Sequence, residues 1–412
     1  MTKLEQLIEE LCPNGVEYRT LGDIAIDVFR GAGIKRDEVT ETGIPCVRYG
    51  EIYTTYGVWF DECVSHTVLK NVPSPKYFEH GDILFAITGE SVEDIAKSCA
   101  YVGHEKCLAG GDIVVLKHNQ NPKYLAYALS TTDAQMQKSK GKVKSKVVHS
   151  SVPAIKEIVV PIPPLPVQSE IVRILDNFTE LTAELTAELT AELTARKQQY
   201  AHYRDTLLKL DNNVPSYTLK DVCLSIADGD HMPPPKADSG VPFITISNIT
   251  ETRQIDFSNV MYVPREYYDK LADKRKAKRD DILYTVVGSF GIPVHISSKT
   301  EFVFQRHIAI LRPNQQMIVP RYMYHIMQST KFYKQADKAA KGAAQRTIGL
   351  SSLGNMTIPL PSIEEQKRIV AILDRFDTLC NDISAGLPAE IEARQKQYEY
   401  YRDKLLTFEP AK

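Results

Sequence analysis

The hydrophobic pattern changes period along the chain, and the changes recur. In segment 168–210, apolar residues fall at Ile171, Ile174, Leu175, Phe178, Leu181, Leu185, Leu189, Leu193, Tyr200, Tyr203 and Leu207. Steps of three and four place them on one stripe of a long helix. At its centre the word Thr-Ala-Glu-Leu runs three times in succession, and Ala, Leu and Glu are strong helix formers. About 40 residues at ~1.5 Å each predict a rod of roughly 60 Å. The preceding prolines, at 161, 163, 164 and 166, stop whatever comes before. A second helical stretch over 365–408 contains Gly386 and Pro388, where a kink or break is expected. A lone rod is not stable on packing grounds, so the two stretches are expected to pack antiparallel. Leu181, Leu185, Leu189 and Leu193 would face Leu379, Ile383, Leu387 and Ile391.

Elsewhere the runs are short, β-rich and punctuated by Gly and Pro: IPCVRYGEIY, DILFAITG, DIVVLK, VPFITISNI, DILYTVVG and HIAILR. Segments 122–137 and 320–340 carry helical spacing. These features predict two α+β domains.

The chain is written twice. PIPPLPVQSEIVRILDNF (161–178) aligns with PLPSIEEQKRIVAILDRF (359–376), and RKQQYAHYRDTLL (196–208) with RQKQYEYYRDKLL (394–406), both at a shift of 198. Fainter echoes precede them: Thr20-Leu21 and Thr218-Leu219, Gly43-Ile44-Pro45 and Gly240-Val241-Pro242, Asp82-Ile83-Leu84 and Asp281-Ile282-Leu283. The predicted organisation is a variable domain (1–160), a shared helical region (161–212), a second variable domain (213–358) and a second helical region (359–412). The expected fold is α+β, with two variable domains separated by an antiparallel helical spacer and a pseudo-twofold internal repeat.

Composition adds exclusions. The net charge of −2 argues against coating nucleic acid by bulk charge. No run approaches the ~20 apolar residues of a membrane span, and the opening MTKLEQLIEELCPNG lacks a secretory h-region. Seven cysteines without a Cys-x-x-Cys pair suggest reduced thiols and a cytoplasmic location. There is no Walker-type loop, no Asn/Asp-Pro-Pro-aromatic motif, no His-Glu-x-x-His and no Gly-x-Ser-x-Gly. His104 and His231 lack partner motifs. No catalytic or metal site is expected.

Local basic clusters remain. Lys138, Lys140, Lys142, Lys144 and Lys146 alternate, which on an extended strand puts all five on one face. Lys274, Arg275, Lys276, Lys278 and Arg279 crowd together. Lys334, Lys338, Lys341 and Arg346, with Gln345, follow the second domain's helix. Each is open to two readings: a solvated face or guarded sheet edge, or contact with phosphate. The first and third occupy matching places in the two halves, which favours phosphate. Gln and Arg there suit base edges.

The motifs LCPNGVEYRTLGDI, the paired proline-led helices and the paired ends QYAHYRD and QYEYYRD resemble the specificity subunit of Type I restriction-modification systems over nearly the whole chain. The Thr-Ala-Glu-Leu array is similar to the central repeat of one subgroup. This resemblance implies two target-recognition domains, each reading one half of a split, asymmetric sequence in double-stranded DNA. It also implies a helical spacer that docks two methyltransferase subunits, joined by motor-nuclease restriction subunits. The subunit itself would be non-catalytic and hold no cofactor, with S-adenosylmethionine, ATP and Mg on its partners. A self-sufficient DNA enzyme and a helical scaffold without nucleic-acid function are the alternatives.

Overall fold

The computed structural model describes residues 2–72, 74–140, 147–211, 213–229, 234–343, 345–382 and 386–412. The chain forms two compact units that interleave in sequence. The first comprises Met1–Leu185 with Ala393–Lys412, the second Thr186–Glu392. Each unit therefore takes part of both helical regions.

In the first unit, one five-stranded sheet runs in the order Ala25–Arg30, Ile113–His118, Ile83–Ala86, Ser98–Tyr101, Trp59–Phe60. A second runs Val39–Thr40, Ser65–Thr67, Ile44–Val47, Cys107–Ala109, Tyr77–Phe78. The period-2 geometry of strands explains why the central ones read as unbroken apolar runs. Val114 and Leu116 face a core shared with the helices, while Ile113 and Val115 face a second core under Tyr56, Phe60 and Phe78. Both faces are covered along residues 113–116, so every position there is apolar.

The second unit repeats this logic with fewer strands. Its larger sheet has the order Cys223–Asp228, Ile308–Pro313, Ile282–Thr285, Pro293–His295. Ala309 and Leu311 face the helical side, and Ile308 and Ile310 the other. A three-stranded sheet places Val241–Ile244 between Met261–Val263 and Val303–Phe304. The faint echo at Gly43 and Gly240 has a steric cause. Both are left-handed (φ +136° and +140°), and a Cβ would lie 2.5 Å from the Thr67 carbonyl oxygen or 2.3 Å from that of Val263.

Segments 122–137 and 320–340 are helix pairs, not single helices: Pro122–Leu129 with Thr132–Ser139, and Pro320–Met327 with Thr330–Ala339. The second helix of each pair starts on a hydroxyl cap. The Thr131 and Ser329 side chains accept from the backbone N–H of Ala134 and Phe332. The lysine run does not form one extended strand, because Lys138 lies on the helix Thr132–Ser139.

The long helix spans Leu165–Leu207. Its counterpart breaks at the expected place into Ile363–Asn381 and Leu387–Leu405. In the second unit Phe376 meets Tyr200 and Tyr203 (ring centroids 6.3 and 5.3 Å). Cys380, one turn further on, lies in the field of Lys197 and Arg196. Numbers rise on one helix as they fall on the other, the antiparallel sense. In the first unit the long helix meets the C-terminal helix, with Thr179 Oγ1 3.0 Å from Tyr398 Oη and Phe178 stacked on Tyr401 at 6.1 Å.

Candidate nucleic-acid interface

The repeated sequence builds the same frame in both units, residue for residue at the 198 shift. Tyr18–Thr20 pairs antiparallel with Val159–Pro161, and Ser216–Thr218 with Thr357–Pro359. Tyr124 and Tyr322 donate to the carbonyls of Pro161 and Pro359, each at 3.0 Å. Gln168 and Gln366 are fully buried. Their Oε1 atoms accept from the Asn121 and Val319 N–H at 3.0 and 2.8 Å, and their Nε2 atoms donate to the Pro163 and Pro361 carbonyls at 2.7 and 2.9 Å. Such side chains satisfy backbone groups that burial would otherwise strand. Lys123 pairs with Asp176 at 2.8 Å as Arg321 does with Asp374 at 2.6 Å. The correspondence even crosses the chain ends. Asp403 accepts from the Thr132 N–H at 3.1 Å, and Asp205 from the Thr330 N–H at 3.0 Å.

In the sequence Pro122-Lys123-Tyr124 stands as an echo of Pro320-Arg321-Tyr322, but sequence reading gave no role to Gln168 and Gln366, although they stand aligned inside the quoted repeat. It also overlooked His325, which is buried, bonded to Asp374 at 2.6 Å and to the Tyr200 hydroxyl at 2.8 Å. Burial holds its pKa below the ordinary histidine value despite the carboxylate.

The basic candidates separate on this frame. Lys138 is not available to phosphate. It is 5% exposed, and its ammonium donates to the Leu129 carbonyl at 2.7 Å and to Ser98 Oγ at 3.2 Å. Burial, with Arg402 nearby, pushes its pKa down to about 7. Lys140 is exposed at the end of the same helix, whereas Lys142, Lys144 and Lys146 lie outside the described residues.

In the middle cluster Lys274 and Arg279 are exposed, while the other three have partners. Arg275 reaches Asp228 at 3.4 Å, Lys276 donates to the Asp269 carbonyl at 2.9 Å, and Lys278 pairs with Asp273 at 2.8 Å. In the third cluster Lys334, Lys338, Lys341 and Gln345 are exposed, while Arg346 pairs with Asp337 at 2.7 Å. The first and third clusters precede equivalent anchors. Ser150 N–H donates to the Ile87 carbonyl and Ile348 N–H to that of Val286, both at 2.8 Å. Both anchors lie just past the ends of the inner strands Ile83–Ala86 and Ile282–Thr285.

The leucine stripe needs correction. Leu181 is 62% exposed. Leu185, Leu189, Leu193, Leu379 and Ile391 are half-buried and Leu387 is buried, while Ile383 lies outside the described residues. Each four-residue word turns the helix by ~400°, so its leucine precesses by about 40° per unit. The sheltered positions instead follow steps of four and three through Leu175, Thr179, Thr182, Thr186, Leu189, Leu193, Arg196 and Tyr200, a heptad seam. Leu189 and Leu193 fall on it, and Leu185 beside it.

The sequence profile of the Type I restriction modification DNA specificity domain matches residues 13–195 and again residues 212–393. The chain belongs to this family. A putative type I restriction enzyme specificity subunit of Haemophilus influenzae is 37% identical over 279 residues, covering 65% of this chain and 68% of its own. The EcoR124I/EcoR124II specificity subunit of Escherichia coli is 36% identical over 303 residues, covering 69% and 70%. A chain solved in a type I R-M system shares the fold, with TM-score 0.65 at 17% identity and coverage of 96% and 98%.

The protein is a DNA sequence-specificity subunit of a type I restriction-modification system, the non-catalytic member of that complex. Its partners are DNA and the other subunits of the system. Among the described residues no helix is long and apolar enough to cross a membrane.

Proposed function

We propose that each unit reads one half of a bipartite, asymmetric site in double-stranded DNA, and that the helices set the separation and dock two methyltransferase subunits. The observation that carries this reading is the contrast within the repeat. The frame around Gln168 and Gln366 repeats the same bonds to Pro163 and Pro361 and from Asn121 and Val319, while the sheets built on it differ in strand number. A duplicated frame suits one partner bound twice, and differing sheets suit two different half-sites.

A groove supports the twofold docking. It recurs in both units, beside Thr132, Pro161, Asp403 and Leu406 in one and Thr330, Pro359, Asp205 and Leu208 in the other. On this reading S-adenosylmethionine, ATP and Mg belong to the partner subunits, restriction motor-nuclease subunits complete the assembly, and the complex works in the cytoplasm.

The spacer is testable by length. One Thr-Ala-Glu-Leu unit adds ~6 Å of helix and about 40° of net rotation, against ~3.4 Å and about 34–36° per base pair of DNA. Deleting one unit and mapping methylated adenines genome-wide is expected to give the same half-sites with a gap one base pair shorter. Unaltered methylation of the original spacing would reject the ruler.

A further inference from the structure

The second unit carries a side-chain constellation outside the repeated frame. Beyond strand Ile282–Thr285 the chain turns through Gly288 (φ +70°) and Gly291 (φ +97°). A Cβ on Gly291 would lie 2.9 Å from Tyr333 Cε2, so glycine lets the turn lie against that ring. Between the glycines Phe290 stacks on Tyr333, with centroids 6.1 Å apart and planes 12° from parallel. The Arg346 guanidinium lies 5.0 Å from the Phe290 ring centre, and its Nη1 holds Asp337 at 2.7 Å.

The backbone is fixed on both sides. Gly288 N–H donates to the Arg346 carbonyl at 3.0 Å, and Lys341 and Thr347 exchange bonds of 2.9 and 2.7 Å. Beneath the turn the Tyr284 hydroxyl is buried without a hydrogen-bond partner among the described residues.

Gln345 sits in this brace. It is exposed, and its Nε2 lies 3.9 Å from where a Gly288 Cβ would stand. Arg346 is already neutralised by Asp337, so it is a poor phosphate clamp and a good brace. A planar carboxamide offers one donor and one acceptor side by side. Adenine presents the complementary pair, N7 and the N6 amino group, in the major groove.

We propose that Gln345 reads an adenine edge in the half-site of the second unit, with Phe290, Tyr333 and Arg346 as positioning residues. Exposed Lys338 and Lys341 flank it and serve as phosphate contacts. This rests on the reading that the second unit contacts one half-site.

The test uses the full chain assembled with its modification subunits, on a duplex library randomised at both half-sites, with methylation counted per sequence. Gln345→Ala is expected to cut discrimination at one position of one half-site by about ten- to a hundredfold, leaving the other half-site unchanged. Gln345→Arg should move preference at that position from adenine to guanine. Tyr333→Ala should relax the same position alone, whereas a purely structural role would weaken all positions alike. An unchanged preference at every position in Gln345→Ala would overturn the assignment of Gln345. A parent complex with no preference in one of the two half-sites would instead overturn the two-half-site reading beneath it.

Discussion

Lys138 shows how far residue type can mislead about residue role. Its place in a run of alternating lysines favoured a phosphate contact. Its neighbours Leu129, Ser98 and Phe85 make it part of a core. The consequence is a pH dependence with a definite sign. The folded pKa is about 7, below the ordinary lysine value of 10.5. Between those values the unfolded chain binds the extra proton, so stability rises with pH. Below pH 7 the folded state carries the buried charge in full. Lys138→Met is therefore expected to raise the melting temperature relative to the parent most at pH 6 to 7. That advantage should shrink steadily towards pH 9, as scanning calorimetry across this range would show. Its size at pH 7 is on the order of a few kcal/mol at most, from ~1.4 kcal/mol per pKa unit, less the lost bond to Leu129. A pH-independent difference would mean that Lys138 keeps its proton in the folded state throughout this range.

At the scale of elements, the long helix carries two periods at once. The Thr-Ala-Glu-Leu word has period four, and the sheltered seam averages three and a half. They coincide at Leu189 and Leu193 and part at Leu181, which is 62% exposed. Leu193 packs against the second unit's core. Leu193→Ala is expected to cost about 1–3 kcal/mol in denaturant titration, below the usual figure for fully buried leucines. Leu181→Ala should stay within about 0.5 kcal/mol. Equal costs would remove the seam. The sequence pattern gave the helix and its break near Gly386 readily, because steps of three and four and a Gly-x-Pro signal are local. It did not give the seam, since which side of a helix is covered depends on what lies opposite.

At the scale of the molecule, the first unit is completed by the far end of the chain. Leu406 is buried in its core, Val16 N–H donates to the Glu409 carbonyl at 2.9 Å, and the Tyr18 hydroxyl bonds the Phe408 carbonyl at 3.1 Å. Truncation after Lys404 is expected to destabilise the first unit by about 2–5 kcal/mol, the scale of losing one buried leucine with its neighbours. The second unit, which takes its equivalent Leu208 from just past the end of the long helix, should keep its stability. Hydrogen exchange resolved by unit would check this, and uniform loss of protection in both units would contradict it.

The sequence by itself determined the duplication, the α+β class, the helical regions and the family, because these are written in periodicity and in words repeated at one shift. The tertiary structure alone decided which lysines face solvent, which side of the long helix is sheltered, and that Arg346 braces a turn instead of standing free. Burial and pairing are settled by residues distant in sequence. Lys138 meets Ser98 forty positions away, Phe290 meets Arg346 across more than fifty, and Tyr18 meets Phe408 across nearly the whole chain. No local pattern encodes those meetings, whereas a helix stripe or strand alternation is complete within a dozen residues.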